Sequence, residues 1–137
     1  TPEAEPKRYD TRFYVVRSEG HEGAHDRGES VDSRWVEPAW AMEHGSVLDF
    51  PMAPPTWWTL YELAQLGSVD AVLDAVHHRP QRPIQPIMRF FDEGMQLLLP
   101  GHPDHPEPAF PGLPHEVGYE DGHWVAIQDG TVLRARR

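Results

Sequence analysis

Cysteine, basic residues and long apolar runs are all scarce in this sequence. The chain has no cysteine, which excludes disulfides, thiolate zinc sites and cysteine nucleophiles. Its 12 basic residues are outnumbered by 22 acidic ones, for a net charge of -10. This balance disfavours nucleic acid and anionic membranes as partners, because both are bound through basic side chains. No apolar run approaches the roughly 20 residues that span a bilayer, and no signal peptide opens the chain. We therefore expect a cytoplasmic protein.

Proline, in contrast, is abundant. The chain contains 15 prolines in 137 residues, about twice the usual share of roughly 5%, and most of them lie from Pro51 onward. The second half should therefore be rich in extended segments and turns. The hydrophobic content of 39% is that of a globular protein, and the length fits one domain.

The first half predicts an exposed loop between two strands. The stretch RYDTRFYVVR, residues 8–17, is dense in aromatic and β-branched residues, which predicts a strand covered on both faces. Residues 18–32 are polar and contain three glycines, which predicts a solvated loop. The stretch SVDSRWV then predicts a short strand that ends at Trp35 or Val36.

Three segments in the middle predict helices. A short one is bracketed by Pro38 in its first turn and Gly45 at its end. The strongest helical pattern, APPTWWTLYELAQLG, has Thr56 as the expected N-cap and Gly67 as its end. Ser68 then caps VDAVLDAVHHR. The apolar stripe of the second helix contains Trp57, Leu60, Tyr61 and Ala64. That of the third helix contains Val69, Val72, Leu73 and Val76.

The remaining stretches predict a sheet. RPIQPIMRFFDEGMQLLLPG reads as two strands joined at Asp92-Glu93-Gly94, and HPDHPEPAFPGLPHE as a proline-rich irregular stretch. Two Asp-Gly pairs, at 121–122 and 129–130, predict β-hairpins. The predicted class is α+β, mostly sheet, with two or three short helices.

One motif has the residue spacing of a zinc-peptidase site. His21, Glu22 and His25 have the His-Glu-x-x-His spacing that places two imidazoles on one helix. Glycines lie within and around this run, each weakening a helix by about 1 kcal/mol relative to alanine, and its neighbours are polar. A solvated loop is therefore favoured, and a zinc-dependent hydrolase remains a third-ranked alternative.

Other histidines and tryptophans have simpler interpretations. The stretch HPDH, residues 102–105, is held extended by prolines and lacks a third ligand at a defined spacing, so a solvated loop is favoured over a metal site. His77 and His78 are expected to interact with the carbonyls at the end of their helix. Trp57 and Trp58 are expected in the core, with a ligand pocket as the alternative.

Four of these stretches, taken in order, resemble the later portion of the Nudix hydrolases. They are TPEAEPKRYDTRFYVVR, ESVDSRWVEPAWAMEHG, PPTWWTLYELAQL and RPIQPIMRFFDEGMQLLLPG. The nearest branch contains the peroxisomal-type coenzyme A diphosphatases and their bacterial relatives, and the match covers residues 1 to about 105. The resemblance implies a Nudix-like mixed sheet with short flanking helices, of which this chain holds the later part. Residues 1–100 would form that part, and residues 101–137 a proline-rich extension with C-terminal hairpin strands.

The resemblance also implies a reaction. Nudix enzymes bind Mg²⁺ or Mn²⁺ through an acidic helix with the pattern Gly-x5-Glu-x7-Arg-Glu-x2-Glu-Glu, which this chain lacks and which would lie upstream. The implied activity is metal-dependent hydrolysis of nucleoside diphosphates linked to another moiety, with coenzyme A-like compounds as one candidate class. This chain alone would be inactive. The alternative is a non-catalytic Nudix-like binding or scaffold domain. Expected partners are the missing N-terminal part of the domain and a small-molecule diphosphate, with a homodimer as a further candidate.

Four residues are the site candidates that follow from this resemblance. Family members often recruit one further acid, as metal ligand or general base, from the loop that residues 18–32 occupy here. Glu29 is the first choice for both roles, with Glu22 as the second catalytic candidate and a solvated surface acid as the alternative. Arg8 and Arg12 could pair bidentately with a substrate phosphate, although arginines on strands more often form surface ion pairs.

Overall fold

Three helices precede one antiparallel sheet in the computed structural model, which describes residues 6–7, 9–20, 28, 35–44, 52–79, 81–92 and 94–133. The helices are α1 Pro38–His44, α2 Pro54–Leu66 and α3 Val69–His78, and the strands are β1 Ile87–Phe91, β2 Gly94–Leu98, β3 Glu116–Glu120, β4 His123–Gln128 and β5 Thr131–Leu133. The predicted α+β class is confirmed. No helix within the described ranges has the length and apolarity that crossing a membrane requires.

Helix α2 begins earlier than its sequence pattern predicts. Ala53 is the N-cap, and Pro54 and Pro55 fill the first turn, where a missing N–H removes no intrahelical hydrogen bond. Thr56 therefore lies inside the helix, and its prediction as N-cap is wrong. The predicted end is confirmed, because Gly67 takes the left-handed conformation at φ 71° and its N–H bonds Leu63 O.

Helix α3 begins at the predicted cap. The Ser68 hydroxyl accepts a hydrogen bond from Ala71 N at 3.2 Å, which satisfies one of the free amides of the first turn. At the other end, His78 Nδ1 donates to Asp74 O at 2.9 Å. The expected interaction with carbonyls of the last turn is therefore confirmed for His78.

The sheet is a meander in the order β1-β2-β3-β4-β5. Strands β1 and β2 meet at the predicted turn, with Phe91 opposite Gly94. Both Asp-Gly pairs form two-residue turns with positive φ, at 48° and 84° for Asp121 and Gly122 and at 51° and 74° for Asp129 and Gly130. These angles match the right-handed twist of the flanking strands, so both predicted hairpins are confirmed.

The core lies between helix α2 and one face of the sheet. A cross-strand row of side chains on that face consists of Met88, Leu97, Val117, Ala126 and Leu133. Trp57, Trp58 and Tyr61 from α2 pack against this row. The two tryptophans are thus in the core, as predicted, and fully burying one large side chain contributes roughly 1.5–3 kcal/mol.

The predicted strand over residues 8–17 is wrong for the part that the structure describes. Residues 9–19 have no regular secondary structure, and their side chains are exposed. A strand needs a neighbour for its backbone hydrogen bonds, and among the described residues none lies beside this stretch. Of the second predicted strand, residues 30–34 lie outside the described residues, and Trp35 and Val36 are not in a strand.

Residues 100–115, here called the strap, connect β2 to β3 without a helix or strand. This confirms the predicted irregular stretch. Gly101 allows the strap to double back, because its φ is 102° and an added Cβ would lie 2.6 Å from Ala109 Cβ. Strands β2 and β3 pair directly. The predicted boundary between residues 1–100 and 101–137 therefore falls between two neighbouring strands of one sheet.

Candidate functional site

Only one of the four candidate site residues can be located. Glu22, Glu29 and Arg8 lie outside the described residues, as do His21 and His25 of the zinc-like motif. Arg12 is described and lies exposed in a stretch without regular secondary structure. The roles of all four residues therefore stay predictions.

Residues 9–17, here called the N-terminal segment, expose several large apolar side chains. The large ones are Tyr9, Phe13, Tyr14, Val15 and Val16, with Tyr14 and Val16 each 85% exposed. These exposed side chains occupy both odd and even positions of the segment. The segment is tied to α3 by an ion pair between Arg17 and Asp70, both well exposed. The segment therefore exposes several large apolar side chains that are close together in the sequence.

A second candidate is a polar cluster where the strap meets the sheet. His102 Nδ1 accepts a hydrogen bond from Asp104 N at 3.0 Å, and His102 Nε2 lies 3.7 Å from Glu116 Oε2. Both side chains are only 11% exposed. The prediction of a solvated loop at HPDH is therefore wrong for His102, because the strap folds back and places this ring against the sheet.

His115 repeats this pattern next to His102, with ring centroids 5.5 Å apart. Its Nδ1 accepts from Gln128 Nε2 at 3.1 Å, and its Nε2 lies 3.7 Å from Asp129 Oδ1. In both rings Nδ1 is used as an acceptor and Nε2 faces a carboxylate. Neither imidazole offers a free lone pair for a substrate proton, so the cluster holds structure rather than acting as a general base.

Among the described arginine–carboxylate pairs, the one with the most buried carboxylate joins α2 to the residue after α3. Arg79 Nη1 lies 2.6 Å from one oxygen of Glu62 and 2.7 Å from the other. Burial raises the pKa of Glu62, and the Arg79 hydrogen bond and charge only partly offset this. Burial likewise raises the pKa of Tyr61. Arg79 and Arg82 also lie over the Phe110 ring, with their Cζ atoms 5.2 and 4.1 Å from its centroid.

A shallow cavity of about 210 Å³ lies across β1 to β4. By strand alternation, most of its lining residues belong to the sheet face opposite α2: Phe91, Gly94, Gln96, Gly118, Glu120 and Ile127. The two glycines leave its floor without side chains. At Gly118 an added Cβ would lie 2.9 Å from Ile127 Cδ1, so any larger residue there would need that side chain to move.

Sequence reasoning missed Glu62, His115 and Glu116. Glu62 lies four residues after Trp58, so helical spacing already placed it beside a core residue. The pair His115-Glu116 directly precedes the strand-like VGY, where a period of two puts one of two neighbours on the covered face. Both signals were present, but the ion-pair partners come from distant parts of the chain.

Within the described parts of the chain, no three His, Asp or Glu side chains are grouped so that they could hold a metal ion. The described residues therefore do not supply the site that Mg²⁺ or Mn²⁺ would need. No protein-family model, curated protein or solved structure matches this chain.

Proposed function

We propose that this chain is the later part of a metal-dependent hydrolase of nucleoside diphosphates linked to another moiety, with coenzyme A-like compounds as one candidate substrate class. The proposal includes a Nudix-like fold whose acidic helix lies upstream of these residues. It starts from the resemblance carried by the stretches between residues 1 and 105.

The observation that supports the proposal is the exposure of the N-terminal segment. A sequence with β-branched and aromatic residues on both sides fits an interior strand, buried on both faces. In the described residues Tyr14 and Val16 are instead 85% exposed. Strands and a helix supplied by an upstream part of the domain would pair with this segment and cover it.

Mg²⁺ or Mn²⁺ would be held mainly by carboxylates outside this chain, since hard cations prefer oxygen ligands. Glu29 is the proposed contribution from this chain, as metal ligand or general base. When bound, the metal would polarise the diphosphate and activate water. Arg12 carries the charge that could pair with a phosphate, and its exposure leaves it accessible.

A non-catalytic binding domain of the same fold is the second candidate. It is favoured by the finding that the described residues contain no metal-ligand group. The same exposed segment would then serve a binding surface rather than an active site.

The test uses the protein extended by its upstream coding sequence. We expect that sequence to contain the acidic pattern, and the extended protein to release nucleotide from coenzyme A or a dinucleoside diphosphate only with Mg²⁺ or Mn²⁺. Glu29→Gln should lower turnover by about 10²-fold, as for a lost general base, while Glu22→Gln should have a smaller effect. An upstream sequence without the acidic pattern, together with nucleotide binding but no hydrolysis, would favour the binding domain.

A further inference from the structure

Six of the described histidines fall into two classes according to what their Nδ1 atoms contact. His44, His78 and His123 each place Nδ1 2.9 Å from a backbone carbonyl oxygen. A carbonyl oxygen can only accept, so these rings carry a proton on Nδ1. Taking up a second proton, on Nε2, leaves each of these hydrogen bonds intact.

The three histidines of the strap have the opposite arrangement. His102, His105 and His115 each place Nδ1 next to a donor, at 3.0, 3.1 and 3.1 Å. These donors are the backbone amides of Asp104 and Glu107 and the side-chain amide of Gln128. An imidazole that accepts at Nδ1 must be neutral with its proton on Nε2. Protonation at Nδ1 would set two donors against each other.

His105 differs from the other two in its surroundings. His102 faces Glu116 from β3 and Asp104 from the strap, and Asp104 is itself paired with Arg89 of β1. His115 faces Asp129 from the β4–β5 turn. In both rings Nε2 lies 3.7 Å from a carboxylate oxygen, so each ring has a contact that does not depend on Nδ1.

No described carboxylate lies within 4.0 Å of the His105 ring nitrogens. Its Nε2 donates to Gln85 O at 2.8 Å, in the stretch before β1, and its Nδ1 accepts from Glu107 N at 3.1 Å. The charged residues next to it in the sequence are Asp104, which pairs with Arg89, and Glu107, which pairs with Arg82 at 3.2 Å. Protonation of His105 would therefore break one contact and gain none.

Glu107 is the residue through which the strap closes. Its N–H bonds His105, its carbonyl accepts from Gly101 N at 2.9 Å, and its carboxylate pairs with Arg82. Arg82 also donates to Pro108 O, and to Ala109 O at 3.1 Å. The Arg82 contacts involve no titrating imidazole, so they hold the Phe110 end of the strap at any protonation state of His105.

We propose that His105 is a proton-sensitive latch for the first half of the strap, residues 101–107. The neutral ring bridges Gln85 and Glu107, and the protonated ring releases the Glu107 amide. Loss of this hydrogen bond loosens the turn closed between Gly101 and Glu107, while the Arg82 contacts to Glu107, Pro108 and Ala109 stay in place. His102 and His115 do not act as latches, because each ring also lies beside a carboxylate, that of Glu116 or Asp129, whose contact does not involve Nδ1.

The test is nuclear magnetic resonance on the protein from about pH 7.5 to about pH 5, the range in which imidazoles change charge. At the higher pH, the imidazole ¹⁵N signals of His105 should show a bare Nδ1 and a protonated Nε2, whereas His78 should show the reverse. After correction for intrinsic exchange, protection of the Glu107 and Gly101 amides should fall roughly three- to tenfold at the lower pH, the range expected for one lost neutral hydrogen bond. The Asp104 amide should change less.

His105→Gln keeps a donor that can reach Gln85 O but cannot titrate, so protection of Glu107 should no longer depend on pH. His78→Gln is the matched control and should leave the pH response unchanged. A proton on His105 Nδ1 at neutral pH would overturn the proposal. An unchanged pH response in His105→Gln would overturn it too, and the ¹⁵N measurement on the unmodified protein decides the matter even if that variant folds poorly.

Discussion

The N-terminal segment and strand β2 differ in what lies beside them. Strand β2 contains Leu97 and Leu98, lies between β1 and β3, and exposes only 5% and 1% of these side chains. The N-terminal segment contains Val15 and Val16, has no neighbouring strand among the described residues, and exposes 45% and 85% of theirs. Similar apolar pairs are therefore core residues in one place and surface in the other.

The difference teaches that strand preference is a property of the site as much as of the residue. Aromatic and β-branched side chains favour strands because they pack well on a pleated, partly buried surface. Where neighbouring strands supply that surface, as around β2, the preference is realised. The N-terminal segment keeps the preference and lacks that surface among the described residues, so we expect its structure to depend on what covers it.

The largest expected effect on stability comes from shortening Leu98 of β2, compared with shortening Val16 of the N-terminal segment. Leu98→Ala should lower the free energy of unfolding by about 2–5 kcal/mol, since it leaves a cavity in a fully buried site. Val16→Ala should change it by no more than about 0.5 kcal/mol, as for an exposed position. Urea unfolding followed by circular dichroism measures both. Equal losses in the two variants would show that the N-terminal segment is packed in solution and would break the comparison.

The half-buried ion pair between the helices and the exposed ion pair of the N-terminal segment should differ in the same direction. Arg79→Met leaves the carboxylate of Glu62, 14% exposed, without its partner, and should cost about 1–3 kcal/mol after allowance for partial solvent access. Asp70→Asn breaks the exposed pair with Arg17 and should cost less than about 1 kcal/mol. The same unfolding measurement, repeated in high salt, should reduce the second loss more than the first. A larger loss for Asp70→Asn would mean that the exposed pair fixes the N-terminal segment.

The sequence predicted the regions that are stabilised locally and missed those that depend on distant partners. Gly67, Ser68 and the two Asp-Gly turns act within a few residues, and each was predicted correctly from short-range chemistry. Thr56 was misassigned because two prolines ahead of it could begin the helix earlier. The strand predicted at residues 8–17 failed because its sequence does not reveal whether a neighbouring strand is present.

The polar clusters were missed for a related reason. The pair Glu62–Arg79 spans 17 residues, and His102–Glu116 spans 14, so neither belongs to a short motif. The Glu62–Arg79 pair forms where α2 and the end of α3 meet, and the His102–Glu116 pair forms because the strap folds back at Gly101. The predicted loop acids Glu22 and Glu29 lie outside the described residues and stay predictions.

The change in the free energy of unfolding with pH that Glu62 causes should be smaller than the loss expected for Leu98→Ala. Its sign follows from the direction of the pKa shift. Burial raises the pKa of Glu62 in the folded state, so the folded protein binds this proton more tightly than the unfolded chain, whose glutamates titrate near pH 4.3. Its contribution to stability is therefore greatest at low pH and falls as the pH rises through the raised pKa. Glu62→Gln keeps an acceptor for Arg79 without the charge, so its stability relative to the unmodified protein should increase between about pH 4 and pH 7. A decrease would show that attraction to Arg79 outweighs the cost of burial.

The smallest expected effect on stability is that of Val16→Lys. The same variant becomes informative when the protein is extended by its upstream sequence. Val16→Lys should leave the stability of the 137 residues within about 0.5 kcal/mol of the original, because the side chain is in water. It should also raise solubility, since it interrupts an exposed apolar run. In the extended protein the same change should cost several times more, because a covered strand would have to bury an ammonium group. Thr11→Lys, at an exposed polar position of the same stretch, is the control for added charge. If Val16→Lys were harmless in both forms, upstream residues would not cover the N-terminal segment, and the main support for a hydrolase completed from upstream would be lost.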